Sequence, residues 1–210
     1  MTRLATSERA ALCDTALAVG ADRPTLSGEW TVKDLVVHLL LREGSPAAIG
    51  IVVAPLSRLA DAASARMGRR PWPELVQRLR SGPPRLSPFA IPRIDELANS
   101  LEFFVHHEDI RRAQPDWSPR DLGAKTERTL WLSIGMPGKA LARKAPVGVR
   151  IENTSTGESR VLKKGAETVT VQGAPAEVVL FLFGRSAQAR VELLGDPDAV
   201  ARLQATSLSI

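Results

Sequence analysis

The chain has 210 residues, with 28 Lys+Arg against 23 Asp+Glu, 44% hydrophobic residues and one cysteine. That length holds one large domain or two small ones, and the single cysteine, Cys13, excludes an internal disulfide and fits a reducing, cytoplasmic setting. The net charge of +5 is scattered over short runs such as Arg69-Arg70, Arg111-Arg112 and Lys163-Lys164, and with no tyrosine and 4% aromatic residues, nucleic-acid binding is not expected.

The N-terminal segment carries Arg3, Glu8, Arg9 and Asp14 and has no continuous apolar stretch, so it reads as neither a signal peptide nor a membrane anchor. No segment reaches the roughly 18 to 20 apolar residues that a bilayer span needs. Residues 6–19 place Ala10, Leu12, Cys13 and Leu17 at helical spacing, with Thr6 or Ser7 available as N-cap. Gly20 ends that helix and a breaker-rich loop follows. Thr31 then caps the helix TVKDLVVHLLLRE, where Asp34 makes a loose version of a capping box. Trp30 reads as a packing staple at its start. Helices are predicted over 53–67 and 73–81, with Pro73 suited to a first turn. The stretch 81–93 contains Pro83, Pro84, Pro88 and Pro92 and reads as a loop.

A long helix is predicted over 93–113 and another over 119–144. The pattern then changes. VGVRIENT and TVTVQ alternate like strands, with STGES and KKGAE supplying turns between them. GAPAEVVLFLFGR reads as a helix closed by Gly184, ARVELLG as a strand, and DPDAVARLQAT as a helix with Asp196 at its N-cap and Pro197 in its first turn. The predicted layout is a helical domain over 1–145 followed by a small α+β domain over 146–210.

All three histidines lie on predicted helices. His38 sits among apolar neighbours in WTVKDLVVHLL. Glu102 and His106 are four residues apart, about 40° around a helix and one turn along it, so both can address one object. His107 stands about 140° from Glu102 by the same arithmetic and faces elsewhere. Two imidazoles and a carboxylate on two helices suit zinc, with a fourth position for water or substrate, although iron, nickel or cobalt would accept the same donors. Asp34 or Asp109 could take the second imidazole proton and fix a tautomer. The plain alternative is a core histidine beside a surface i,i+4 pair. Arg111 and Arg112 read as surface charges, Phe103-Phe104 as core, and Cys13 as a core residue.

GEWTVKDLVVHLL and LEFFVHHEDIRRA resemble the two metal-ligand motifs of the mycothiol-dependent maleylpyruvate isomerase family, within the wider DinB-like bundle superfamily. The resemblance implies a divalent metal on His38, Glu102 and His106, with Asp109 as the trailing acid. It also implies a DinB-like four-helix bundle followed by a small α+β, SCP2-like domain, the overall class being α+β. GAPAEVVLFLFGR resembles the helix of that second domain, ending in Gly184-Arg185, and makes Arg185 the catalytic candidate that holds an acidic substrate. The family's chemistry implies mycothiol as thiol cofactor, activated by the metal for transfer or isomerisation. The competing expectation is a non-catalytic metal-binding module whose C-terminal domain binds a ligand or partner.

Overall fold

The computed structural model describes residues 3–44, 57–206 and 208. By internal contacts the chain divides into two compact units, Met1–Pro119 and Arg120–Ile210. The class is α+β: helices first, then a small sheet with helices.

The first unit contains α1 (Leu4–Val19), α2 (Val32–Gly44), α3 (Ser57–Gly68), α4 (Trp72–Arg80) and α5 (Pro92–Arg112). Helix α1 lies along α5 and also meets α4, while α2 meets α3 and α4. The core is apolar, built on Leu12, Val36, Leu39, Leu75, Leu79 and Phe103, all essentially inaccessible. Residues 53–56 of the helix expected over 53–67 lie outside the described residues.

The buried stripe of α1 is Ala5, Glu8, Arg9, Leu12, Cys13 and Ala16. It is rotated from the predicted one, since Leu17 is exposed. The reason is polar: Glu8 and Arg9 are drawn inward by partners on other helices. Neither Thr6 nor Ser7 caps α1. Its first amides, Leu4 N and Ala5 N, donate instead to the Glu96 carboxylate from α5, each at 3.1 Å, which favours both the orphan amides and the helix dipole. Helix α2 starts as its sequence suggests. Asp34 N donates to Thr31 Oγ1 at 3.2 Å and Thr31 N donates back to Asp34 Oδ2 at 3.0 Å. This is the reciprocal capping arrangement, with Asp in place of Glu. Within the loop 81–93, Ser87 caps a short 3-10 turn, Pro88–Ala90, and Pro92 opens α5.

The helix expected over 119–144 is two helices, α6 (Gly123–Ser133) and α7 (Gly135–Leu141). Pro137 lacks an amide hydrogen and its ring would meet the Ser133 carbonyl, so the chain restarts at Gly135. Both helices group with the second unit, whereas the sequence placed the change of domain at 145/146. Trp131 explains the grouping: its indole nitrogen donates to Glu158 at 2.6 Å and its carbonyl accepts from Arg160 at 2.7 Å.

The remaining elements are β1 (Gly148–Asn153), β2 (Ser159–Lys163), β3 (Thr168–Gly173), α8 (Pro175–Leu182), β4 (Glu192–Leu194) and α9 (Pro197–Gln204). The sequence pattern places only the two ends of strand β2, Ser159 and Lys163, in turns and assigns nothing to the residues between them. Its short alternation is masked by Arg160 and Lys163, and it forms because β1 offers it an antiparallel partner, Ile151 opposite Arg160. The sheet order is β2-β1-β3-β4, with β1 and β3 parallel in register Gly148 to Thr168 through Asn153 to Gly173. Helix α8 is buried along its whole length. It ends as predicted: Gly184 takes a φ of 84°, Arg185 N donates to Leu180 O and Gly184 N to Phe181 O, a Schellman closure that favours glycine. Asp196 caps α9 through Asp198 N and Ala199 N.

Candidate metal centre

Three side chains from two helices converge in the first unit. His38 Nε2 of α2 lies 3.5 Å from Glu102 Oε1 of α5, and His106 Nε2 lies 3.3 Å from the same oxygen. One donor atom from each residue falls within 4.8 Å of the other two. The imidazole centroids are 5.5 Å apart with the rings at 71°. All three side chains are partly buried. Around a tetrahedral ion with ligands at about 2.0–2.1 Å, neighbouring donors stand roughly 3.3–3.4 Å apart. The His106–Glu102 separation falls on that edge length and the His38–Glu102 separation lies just above it. Among the described residues no fourth His, Cys, Asp or Glu joins the group.

The surroundings fix each donor. Asp109 Oδ2 is 2.9 Å from His106 Nδ1 and also accepts from Ser27 Oγ at 2.8 Å, so Nδ1 is engaged and Nε2 turns to Glu102. Asp109 itself is fully buried, and its carbonyl accepts from Leu26 N. Of the two candidate acids, Asp109 stands against His106 Nδ1, while Asp34 is spent on the cap of α2. Trp30 packs on His38, ring centroids 4.9 Å apart. It covers a candidate ligand rather than merely stapling the helix.

Electrostatics favours a cation here. Burial opposes ionisation of Glu102, but hydrogen bonds from His106 and His38 and the nearby Arg42 charge hold its carboxyl well below the usual range. Burial also opposes a charged His106, yet the Asp109 and Glu102 carboxylates push its pKa up to about 9. Two carboxylates facing one imidazole thus create a place for positive charge, and a proton takes it when no metal competes.

His107 faces away, as the helical arithmetic required. It is buried, with Nδ1 2.9 Å from Glu8 Oε2 and Nε2 2.9 Å from Thr15 Oγ1, both on α1. Phe103 and Phe104 are core, and Cys13 is buried, its thiol 3.7 Å from the Val76 carbonyl. Arg112 is not a surface charge. It is buried, donates to Glu108 Oε2 at 2.6 Å and stacks over Trp117, where desolvation is offset by a full ion pair. Arg185 lies in the second unit, directly after the α8 closure, and donates to the Phe183 carbonyl.

The sequence reading missed Arg42 and Ser27. Arg42 follows His38 by four residues and its Nε lies 3.4 Å from Glu102 Oε1, so the helical spacing could have found it. Ser27 sits in a loop and offered no pattern.

The chain resembles mycothiol-dependent maleylpyruvate isomerase in fold. A crystal structure of that enzyme matches with a TM-score of 0.53 at 19% identity, and one of a histidine-to-alanine mutant with a TM-score of 0.60 at 16% identity. Each match covers 90% of this chain and 90% of the other. At these identities the likeness establishes the fold alone. No family model and no curated protein sequence matches the chain.

Proposed function

We propose that this protein is a divalent-metal enzyme that employs an external thiol cofactor, of the kind named for its structural neighbours, mycothiol, in a transferase or isomerase reaction. His38, Glu102 and His106 would hold the metal, with zinc as the natural choice for two imidazoles and one carboxylate. The observation that carries the reading is the convergence of one donor from each of these residues to within 4.8 Å of one another, with no fourth protein donor among the described residues. A structural zinc is normally closed by four protein ligands, whereas three leave a position for an exogenous group.

A divalent cation held by these three residues would lower the pKa of a coordinating thiol and so would supply a thiolate nucleophile. This chain's own residues do the rest. Asp109 holds His106 in the tautomer whose Nε2 faces the donor cluster. Trp30 shields the imidazole of His38 on one side. The thiol comes from outside, because Cys13, the one cysteine, is buried in the apolar core and its pKa is pushed up to about 11. Arg185 is assigned to an acidic substrate. Its guanidinium suits a carboxylate, and it is only partly buried.

Protein saturated with zinc and then with cobalt tests the reading. Mycothiol titrated into the loaded protein should release heat and shift the visible cobalt bands toward thiolate coordination. A metal that binds with no response to the thiol favours the second reading, a non-catalytic metal-binding module. Arg185→Ala should leave metal content and thiol binding intact, and loss of either would count against assigning this residue to an acidic substrate.

A further inference from the structure

Arg42 joins the candidate metal centre to a buried polar network that spans three helices. Its Nε lies 3.4 Å from Glu102 Oε1, its Nη2 donates to the Ala98 carbonyl at 3.1 Å, and its Nη1 donates to Asn99 Oδ1. One guanidinium therefore donates to two acceptors and sets its third nitrogen within ion-pair distance of the Glu102 carboxylate. A planar, permanently charged fork can do this; a lysine ammonium cannot.

Asn99 is fully buried and its amide is oriented by chemistry rather than by chance. Nδ2 donates to Glu43 Oε1 and to Asp95 Oδ1, each at 2.8 Å. Both acceptors are carboxylates, so the NH2 group must face them and the carbonyl oxygen must face Arg42. The carboxylates are held in turn by Arg9 of α1, which donates to Asp95 Oδ1 at 2.9 Å and to Glu43 Oε1. Asp95, Asn99 and Glu102 follow one another at spacings of four and three on α5, and Glu43 lies five residues after His38 on α2. The network thus pins the register of the two helices that carry the metal donors, close to those donors.

We propose that Arg42 is the positioning residue of this centre, fixing the Glu102 carboxylate between His38 and His106 and drawing its own rigidity from Asn99. The inference rests on the metal reading above. A flexible glutamate left to itself would sample several rotamers and lose entropy on coordination. Held by Arg42, it is presented ready-made, which is how groups around a metal raise affinity and fix geometry.

Three forms of the full chain, wild type, Arg42→Met and Arg42→Lys, are titrated with cobalt(II) against a chromophoric chelator, and the visible spectrum is recorded. Circular dichroism and thermal melts of the metal-free forms run alongside. Arg42→Met should keep its helical signal, bind cobalt about tenfold to a hundredfold more weakly and show weaker, shifted bands as the coordination geometry relaxes. Arg42→Lys, which keeps the charge but not the fork, should recover only part of both. Wild-type affinity and spectrum in Arg42→Met overturn the proposal while leaving the metal reading intact. A wild-type protein that binds no cobalt overturns the metal reading and this proposal with it. Should Arg42→Met fail to fold, Arg42→Lys decides alone, and a full wild-type spectrum in that variant counts against the fork.

Discussion

Asp109 Oδ2 stands 2.9 Å from His106 Nδ1, three residues earlier on the same helix, and Asp109 is fully buried. The contact commits one ring nitrogen of His106 to the protein and leaves the other for the donor cluster. Outer partners of this kind orient a ligand and raise its basicity. Asp109→Ala should therefore weaken zinc binding roughly tenfold to a hundredfold while His106 stays in place as a ligand. Competition with a chelator dye measures it, and an unchanged affinity would show that the ring needs no such support.

The adjacent histidines separate by face, and their variants should separate by readout. His106→Ala should abolish tight zinc binding. His107→Ala removes a buried ring that pairs with Glu8 and Thr15, leaves a cavity and breaks both contacts, and should cost about 2–3 kcal/mol of stability with metal stoichiometry intact. Denaturant melts and metal analysis of the two purified variants supply the comparison. Equal metal loss in both would refute the assignment by helical face.

Cys13 should be chemically silent. Burial pushes its thiol up to about 11, so little thiolate exists near pH 8, and a disulfide reagent should label the native protein at least roughly a hundredfold more slowly than the unfolded one. The same shift has a stability consequence. The folded thiol keeps its proton at pH values where the unfolded thiol has lost it, so this contribution is fully present below the ordinary thiol pKa and declines as pH rises toward about 11. Cys13→Ser should remove that alkaline slope and leave metal content unchanged; rapid labelling of the native thiol would contradict its place in the core.

Gly148 opens β1 where the chain passes close to its neighbours. A methyl group there would meet Thr168 Oγ1 at 2.5 Å, Gly165 N at 2.9 Å and Glu167 O at 3.0 Å. Two of those atoms are backbone and cannot swing aside. Gly148→Ala should cost about 1–3 kcal/mol and lower the thermal midpoint. A melt indistinguishable from wild type would mean that the backbone around the start of β1 gives way easily.

Much of the fold was legible because its signals are local. The Thr31–Asp34 cap, the Gly184 closure and the Asp196 cap each depend on residues a few positions apart, and each stands where the sequence placed it. The convergence of Glu102 with His106 is of the same kind, since a helix fixes the angle between i and i+4. Elements were misread where distant partners decide. Strand β2 exists because β1 pairs with it, the start of α1 is satisfied by Glu96 from α5, and Arg112 is buried because Glu108 and Trp117 receive it.

The amino-acid order alone determined which side chains share a helix face, and hence that Glu102 and His106 could act together while His107 could not. Only the tertiary structure decided that His38, sixty-four positions before Glu102, meets them, and that Arg42, Asn99 and Ser27 support the cluster. The physical reason is range. Backbone periodicity carries information over one or two turns, whereas contact between helices depends on how entire apolar faces pack, and that is settled by the sum of the core rather than by any short stretch of chain.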